Sequence, residues 1–147
     1  MFQRILVPVD GSSTSGRALQ AAINLARDQR AQLRLVSVVD EINFNLESEH
    51  VMNEFVEAVR KSGRAILDRA AATAGAAGVQ AETGLLEIET LGHHVADVII
   101  DEARRWSADL IVIGTHGRRG VSHLLLGSVA EKVVHIAAVP VLLIRGK

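Results

Sequence analysis

Four glycines late in the chain have the types and spacing of an anion cradle. Gly114, Gly117 and Gly120 fall within seven residues, and Gly127 stands directly before Ser128. Glycine permits positive φ and lets backbone N–H groups approach an anion without a Cβ in the way. A helix beginning at Ser128 adds unpaired N–H groups and the positive end of its dipole. The spacing therefore indicates a site for phosphate groups.

Side chains in the same stretch suit a polyphosphate. Arg118 and Arg119 provide guanidinium forks that match phosphate oxygens. The stretch is not a P-loop, because it contains no Gly-Lys-Ser/Thr, and no Gly-x-Gly-x-x-Gly follows the first apolar segment. Thr115 and His116 are the only side chains here that could orient a water for hydrolysis. We therefore expect a nucleotide binder or switch rather than an efficient ATPase.

Asp10 is the second candidate of chemical interest, directly after the apolar segment Ile5–Val9. A carboxylate at the end of a first strand can accept hydrogen bonds from ribose hydroxyls. The same residue in Asp10-Gly11-Ser12 also fits an Asx turn that begins a helix. The sequence leaves both roles open, and the nearby phosphate cradle favours binding.

Strands and helices must bring these two turns together. Continuous apolar runs are typical of strands that are covered on both faces. They predict five strands at Arg4–Val9, Leu33–Val39, Val79–Leu86, Leu110–Ile113 and Val139–Ile144. Helical spacing predicts four helices: one after Asp10, one with Val51, Phe55, Val59, Ile66 and Ala70 inward, one over about His93–Ser107, and one from Ser128 with Val129, Val133, Ile136 and Ala137 inward.

The alternation of strands and helices predicts an α/β fold. Its parallel sheet carries helices on both faces, with right-handed crossovers. No linker or composition shift divides residues 1–147, so a single domain is expected. Ligands in such sheets bind beyond the carboxyl ends of the strands, where the strand order reverses. If the first and fourth strands flank that point, the turns at Asp10 and Gly114 meet there.

Composition excludes several classes of function. Sixteen basic residues against 17 acidic ones give a net charge of −1, too little to favour nucleic-acid binding. The chain has no cysteine, which removes disulfides and thiolate metal sites. No apolar run approaches the length of a membrane span or a signal peptide, so a soluble, cytoplasmic protein is expected.

The histidines do not form a metal pattern. His93 and His94 are adjacent, so on a helix they point in different directions, and no His-x3-His pair accompanies them. No protein metal site is therefore predicted. His123 is expected at the surface or near phosphate, and His135 to be half-buried in the last helix.

The motif Gly114-x2-Gly117-x9-Gly127-Ser128 resembles the Gly-2x-Gly-9x-Gly-Ser/Thr motif of the ATP-binding universal stress proteins. The segments 5–12, 129–133 and 139–144 resemble that family's opening strand, closing helix and closing strand, so the likeness spans nearly the whole chain. The resemblance implies an adenine nucleotide alpha hydrolase-like, Rossmann-type fold, an open five-stranded parallel sheet of order 3-2-1-4-5. Before the third helix, the segment Glu87–His94 departs from the short Gly-Asp/Asn-Pro turn of many members.

The resemblance also implies an ATP site. ATP would come with Mg²⁺ or Mn²⁺ held mainly by the phosphates and by water, and Asp10 would hold the ribose. The implied binding residues are Pro8, Val9, Asp10, Val38, Ile113, Gly114, Thr115, His116, Gly117, Arg118, Arg119, Gly127, Ser128, Val129 and Ala130.

The last strand predicts a homodimer. Val139–Ile144 is apolar on both faces, and Pro140 near its start favours an edge position. An exposed apolar edge invites aggregation unless it is paired, and pairing with a second copy about a two-fold axis covers it. The resemblance likewise implies a homodimer.

The function that the resemblance implies is nucleotide-dependent regulation in the stress response. A slow ATPase on the same scaffold and a protein-interaction module that uses nucleotide only structurally are the alternatives. ATP is expected to order the connection Thr115–Leu126, as nucleotides order switch loops in other proteins.

Overall fold

The computed structural model describes residues 1–40, 49–88, 90–116 and 126–146. Strands and helices alternate along these residues, as the apolar pattern predicts. The strands are β1 Arg4–Pro8, β2 Gln32–Asp40, β3 Ala81–Ile88, β4 Leu110–Gly114 and β5 Val141–Ile144; the helices are α1 Ser13–Gln29, α2 Glu49–Ala76, α3 Val95–Trp106 and α4 Ser128–Ile136.

All five strands lie parallel in one sheet of order β3-β2-β1-β4-β5. The predicted order 3-2-1-4-5 is confirmed. Ile5 in β1 pairs with Leu33 on one side and with Leu110 on the other, so β1 is central. β3 and β5 are the two edge strands.

Alternate residues of the strands build two apolar cores, one on each face of the sheet. Ile5 and Val7 face α1 and α2, whereas Leu6 and Val36 face α3 and α4. This alternation follows from the two-residue period of a strand. Because both faces are covered, the strands have the continuous apolar sequence from which they are predicted.

Helix α1 lies close to the sheet because its inward residues are small. Ala18, Ala22 and Ala26 are buried along one stripe, with Leu19 and Ile23 beside them. The helix begins at a Ser12 cap, whose Oγ accepts the Ser15 N–H at 3.1 Å. It ends at Arg30, which takes the left-handed conformation with φ of 54°.

Two strand boundaries differ from the prediction. Val79 does not begin β3, because its N–H donates to the Ala74 carbonyl at 2.9 Å and closes the end of α2. Gly78, with φ of 83°, makes this closing turn possible. β5 begins at Val141 rather than Val139, because Pro140 carries no N–H for the ladder.

Two expectations about inward-facing helix residues are also wrong. Phe55 is 42% exposed, whereas its neighbour Val56 is buried, and the side chain of Val51 lies outside the described residues. Ile136 is 36% exposed in the last turn of α4. Helix α3 begins at Val95 because His94 is its cap residue. No helix in the described part of the chain is long and apolar enough to cross a membrane.

Candidate functional site

The turns after β1 and β4 open at the same edge of the sheet. β1 and β4 are neighbours, and the chain leaves them toward opposite edges, β1 toward β2 and β4 toward β5. The strand order therefore reverses between these two strands, where open α/β sheets form their binding crevice. We call the space beyond the carboxyl ends of β1 and β4 the crevice. The predicted meeting of the two turns is confirmed.

The turn after β1 is an Asx turn built on Asp10. The Ser12 N–H donates to Asp10 Oδ1 at 2.9 Å, and Gly11 between them takes a positive φ of 82°. Ser12 then caps α1. The structural role that the sequence left open for Asp10 is thus present, and its half-buried carboxylate lies at the crevice. A role with ribose remains a prediction.

The turn after β4 is tied to β5 and to α4 by backbone hydrogen bonds. The Thr115 N–H donates to the Ile144 carbonyl at 2.9 Å, and the Gly127 N–H donates to the Thr115 carbonyl at 2.7 Å. The two ends of the 115–127 connection are therefore held together by a backbone hydrogen bond. The Thr115 hydroxyl lies 3.0 Å from His116 Nδ1, and Thr115 is buried.

Gly114 and Gly127 are needed for packing of the chain itself. A Cβ at Gly114 would lie 2.7 Å from Thr14 Cγ2 and 3.3 Å from the Thr14 backbone. A Cβ at Gly127 would lie 2.8 Å from the Thr115 carbonyl oxygen. Neither position leaves room for a side chain. A valine at Gly114 would therefore disturb the contact between α1 and β4, not only the path of a phosphate.

The N-terminus of α4 differs from that of α1. Its cap residue, Gly127, has no side chain, and no side-chain hydrogen bond caps the helix in the described structure. Ser128 is exposed, whereas the Ala130 side chain is buried in the core, so Ala130 can offer a ligand only its backbone N–H. The first turn of α4 thus presents backbone donors at the edge of the sheet where the crevice lies.

The residues expected near an adenine divide between the two faces of the sheet. Ile113 and Val38 pack with the core under α3 and α4, and by alternation Pro8 shares their side. Val9 packs in the opposite core, and its N–H donates to the Val36 carbonyl at 2.8 Å. Val9 can therefore contribute little more than backbone atoms on the Ile113 side.

Part of the predicted cradle lies outside the described residues. This applies to Gly117, Arg118, Arg119 and Gly120, and to His123. Their contribution to phosphate binding stays a prediction, as does the ordering of Thr115–Leu126 by ATP.

Two further histidines lie at helix ends. His94 caps α3, and its N–H donates to the Asp97 carboxylate at 2.8 Å. His135 is exposed on α4, so the expectation of a half-buried histidine is wrong. Within the described ranges, no group of three or more His, Cys, Asp or Glu side chains converges on a metal position.

A buried ion network joins α3 to β2, and it is not among the sequence predictions. Glu102 is 6% exposed and accepts hydrogen bonds from Arg34 at 2.8 Å and from Arg105 at 2.5 and 2.7 Å. The bonds from Arg105, and after them those from Arg34, hold the pKa of the Glu102 carboxyl below its usual value. One signal was available: Arg34 interrupts the apolar run of β2 at a position facing α3.

A second charged contact joins α3 to α4. Asp97 Oδ2 lies 3.1 Å from Lys132 Nζ. The His94 backbone N–H, followed by Lys132, lowers the pKa of the Asp97 carboxyl. Both side chains are partly exposed, and the contact joins the first turn of α3 to α4.

These features define an open α/β protein with glycine-bordered turns at the switch point of its sheet. The model of the universal stress protein family matches residues 1–145. Universal stress protein YxiE from Bacillus subtilis is 37% identical over 99% of this chain and 100% of its own length. The chain belongs to the universal stress protein family, and the predicted resemblance is confirmed at that level.

Solved structures agree with this assignment. A universal stress protein family structure from Burkholderia pseudomallei is 38% identical, with a TM-score of 0.78 over 97% of this chain and 95% of its own. The Archaeoglobus fulgidus universal stress protein in complex with dAMP is 27% identical, with a TM-score of 0.69 over 97% of both chains. A universal stress protein in complex with cAMP is 26% identical, with a TM-score of 0.72 over 97% of both chains.

Proposed function

We propose that this chain binds ATP in the crevice and acts as a nucleotide-dependent regulatory protein of the stress response. The carrying observation is the convergence of the Asp10 turn and the Gly114 turn on one strand-order reversal. Family members of the same fold have been solved with dAMP and with cAMP, which supports an adenine nucleotide as the ligand.

The phosphates would lie between the two glycine-bounded ends of the 115–127 connection. Backbone N–H groups from Gly114–Arg119 and from Gly127–Ala130 would donate to them, aided by the positive end of the α4 dipole. The uncapped start of α4 supports this, because a Gly127 cap residue leaves the first-turn donors without a side-chain acceptor. Arg118 and Arg119 would add charge.

The nucleoside would lie on the side of the sheet that Ile113 shares with Val38 and, by alternation, with Pro8. Asp10 would accept hydrogen bonds from the ribose hydroxyls, with its Oδ1 shared with the Ser12 N–H. Mg²⁺ or Mn²⁺ would be held mainly by phosphate oxygens and water, since the described residues provide no convergent group of acidic or histidine ligands.

The output would pass through a homodimer. β5 is an edge strand of four residues, and Leu142 on it is 38% exposed. Pairing of β5 with its copy in a second chain would cover this edge. Sedimentation velocity is expected to show a dimer.

A slow ATPase is the second candidate, and one contact favours it. The Thr115 hydroxyl at 3.0 Å from His116 Nδ1 orients that ring beside the proposed phosphate site. A histidine held in this way could orient a water. Turnover would then depend on His116 and would disappear in His116→Ala without loss of ATP binding.

Mass spectrometry of the purified, denatured protein tests the proposal directly, together with calorimetric titration by ATP–Mg²⁺ and GTP–Mg²⁺. We expect co-purified ATP and tighter binding of ATP than of GTP. Mostly ADP would favour the slow ATPase. No bound nucleotide and no heat on titration would overturn both and favour an interaction module.

A further inference from the structure

Thr14 lies at the junction of three elements. It is in the first turn of α1 and is only 9% exposed. Its side chain lies against the end of β4 on one side and against the residues that follow β5 on another. A β-branched residue in a helix has few χ1 choices, so this side chain cannot easily move out of the way of either neighbour.

The contact with β4 is the tighter of the two. A Cβ at Gly114 would lie 2.7 Å from Thr14 Cγ2, so the strand and the helix touch with no side chain between them. Gly114 is the last residue of β4 and begins the turn that borders the crevice. The position of that turn is therefore set in part by Thr14.

Thr14 also lies close to Gly146 in the tail, as we call Arg145 and Gly146, the residues after β5. A Cβ at Gly146 would lie 2.8 Å from Thr14 Oγ1. The tail is held there by two further bonds, because Arg17 Nε donates to the Arg145 carbonyl at 3.1 Å and the Thr115 N–H donates to the Ile144 carbonyl at 2.9 Å. The residues that follow β5 are thus tied to α1, and the end of β5 is tied to the turn after β4.

We propose that Thr14 is a positioning residue that couples the nucleotide site to the end of β5. A displacement of the tail at Gly146 would push Thr14, and Thr14 would shift Gly114 and the turn at the crevice. The inference rests on the proposed function, because it assumes that this crevice binds ATP. Coupling between two sites is reciprocal, so ATP also holds the end of β5 in place. Any strand that pairs with β5 would in turn change the affinity for ATP.

Gly146→Ala tests the coupling from outside the crevice. The added methyl group collides with Thr14 Oγ1, and ATP affinity is expected to fall at least about fivefold. Thr14→Ala in the same chain removes that oxygen, and the double variant is expected to bind ATP more tightly than Gly146→Ala alone. Gly16→Ala is the matched control, since it lies in the same helix with no atom within 4 Å of its added Cβ.

Hydrogen exchange provides the reciprocal measurement. ATP is expected to slow amide exchange across 141–146 in the wild-type chain, and this protection is expected to become smaller in Thr14→Ala, where only the direct bond from the Thr115 N–H to the Ile144 carbonyl remains. A merely structural role for Thr14 would change exchange equally with and without ATP.

The outcomes separate the two proposals. A wild-type chain that binds no adenine nucleotide overturns the proposed function and this inference with it. ATP binding by the wild-type chain that is equal in Gly146→Ala, or a double variant no better than Gly146→Ala alone, overturns the inference and leaves the proposed function standing.

Discussion

The two ends of the sheet are held together by different kinds of bond. At the amino end, side chains close the structure: the Asp109 carboxylate accepts the Gln3 and Arg4 N–H groups at 2.8 and 2.9 Å, and the Arg4 guanidinium lies 4.2 Å from the centre of the Trp106 ring. At the carboxyl end, the Asp10 carboxylate accepts the Ser12 N–H at 2.9 Å, but the turn after β4 is closed by backbone at glycine, as in the 2.7 Å bond from the Gly127 N–H to the Thr115 carbonyl.

The two ends of the sheet are therefore expected to serve different purposes, the amino end stability and the carboxyl end binding. Charged side chains at the amino end are engaged with the fold, as Arg4 Nε is with the Trp106 carbonyl at 2.8 Å. In the described part of the chain, the carboxyl end keeps the exposed Ser128 and a start of α4 without a side-chain cap, where we propose that the nucleotide binds. We therefore expect substitutions at the amino end to change the free energy of unfolding, and those at the carboxyl end to change nucleotide affinity.

The largest effect is expected for Glu102→Ala. Glu102 lies in the last turns of α3, near the amino end of the sheet, and its loss leaves the Arg34 guanidinium, with 14% of its side chain exposed, without this carboxylate. Removing one partner of a buried ion pair costs about 3–5 kcal/mol. Urea unfolding should show this loss while ATP affinity stays unchanged. Asp101→Ala, its exposed neighbour, is the control and should be nearly neutral.

Gly114→Ala should lower both the free energy of unfolding and the affinity for ATP, because Gly114 packs against Thr14 and also borders the crevice. Its methyl group would press on Thr14 Cγ2, and overpacking of this kind costs about 1–3 kcal/mol. ATP affinity should fall with stability. Thr14→Ser removes the obstructing methyl, so the double variant should recover part of the stability. No recovery would show that the Thr14 contact does not determine the role of Gly114.

Lowering the pH should reduce the free energy of unfolding, because it protonates Glu102 at the amino end of the sheet. Its pKa lies below the ordinary 4.5 in the folded chain, so its pairing stabilises the fold above pH 4.5. That contribution is lost as the pH falls from 4.5 through the lower folded-state pKa. In denaturant unfolding at a series of pH values, the stability difference between wild type and Glu102→Gln should shrink across that window. A constant difference would contradict the pairing.

The fold was predictable because every strand carries its own signal. Apolar runs on β1 and β4, and on β2 apart from Arg34 and Ser37, reflect burial on both faces, and the helices between them follow the helical period. Boundaries were less predictable, because they depend on tertiary bonds such as that from Val79 to Ala74, which no local pattern reveals.

The site was predictable only in part. The predicted topology brings the turns at Asp10 and Gly114 to one edge of the sheet, as the structure has them, and nucleotide binding there stays a prediction. The packing constraint that requires glycine at position 114 was not predictable. Thr14 lies 100 residues earlier and approaches Gly114 only in the folded chain. The Glu102 network was local only in part, since Arg105 lies three residues after Glu102 on α3, whereas Arg34 comes from β2.

The smallest effect is expected at Asp97, which caps α3 and contacts Lys132 at the surface. Asp97→Ala should lower the thermal midpoint slightly, because the His94 N–H loses its acceptor at the helix start. Asp97→Asn keeps an acceptor and should lose less. Equal losses in both variants would assign the effect to charge rather than to the cap.

The separation of the two ends is tested most directly by ATP titration of two alanine variants, Asp10→Ala and Asp109→Ala. Each removes a carboxylate that accepts backbone N–H groups, one at each end of the sheet. We predict that Asp10→Ala weakens ATP binding at least about tenfold, and that Asp109→Ala loses stability but binds ATP as the wild-type chain does. Wild-type affinity in Asp10→Ala, or an equal loss of affinity in both variants, would contradict the account.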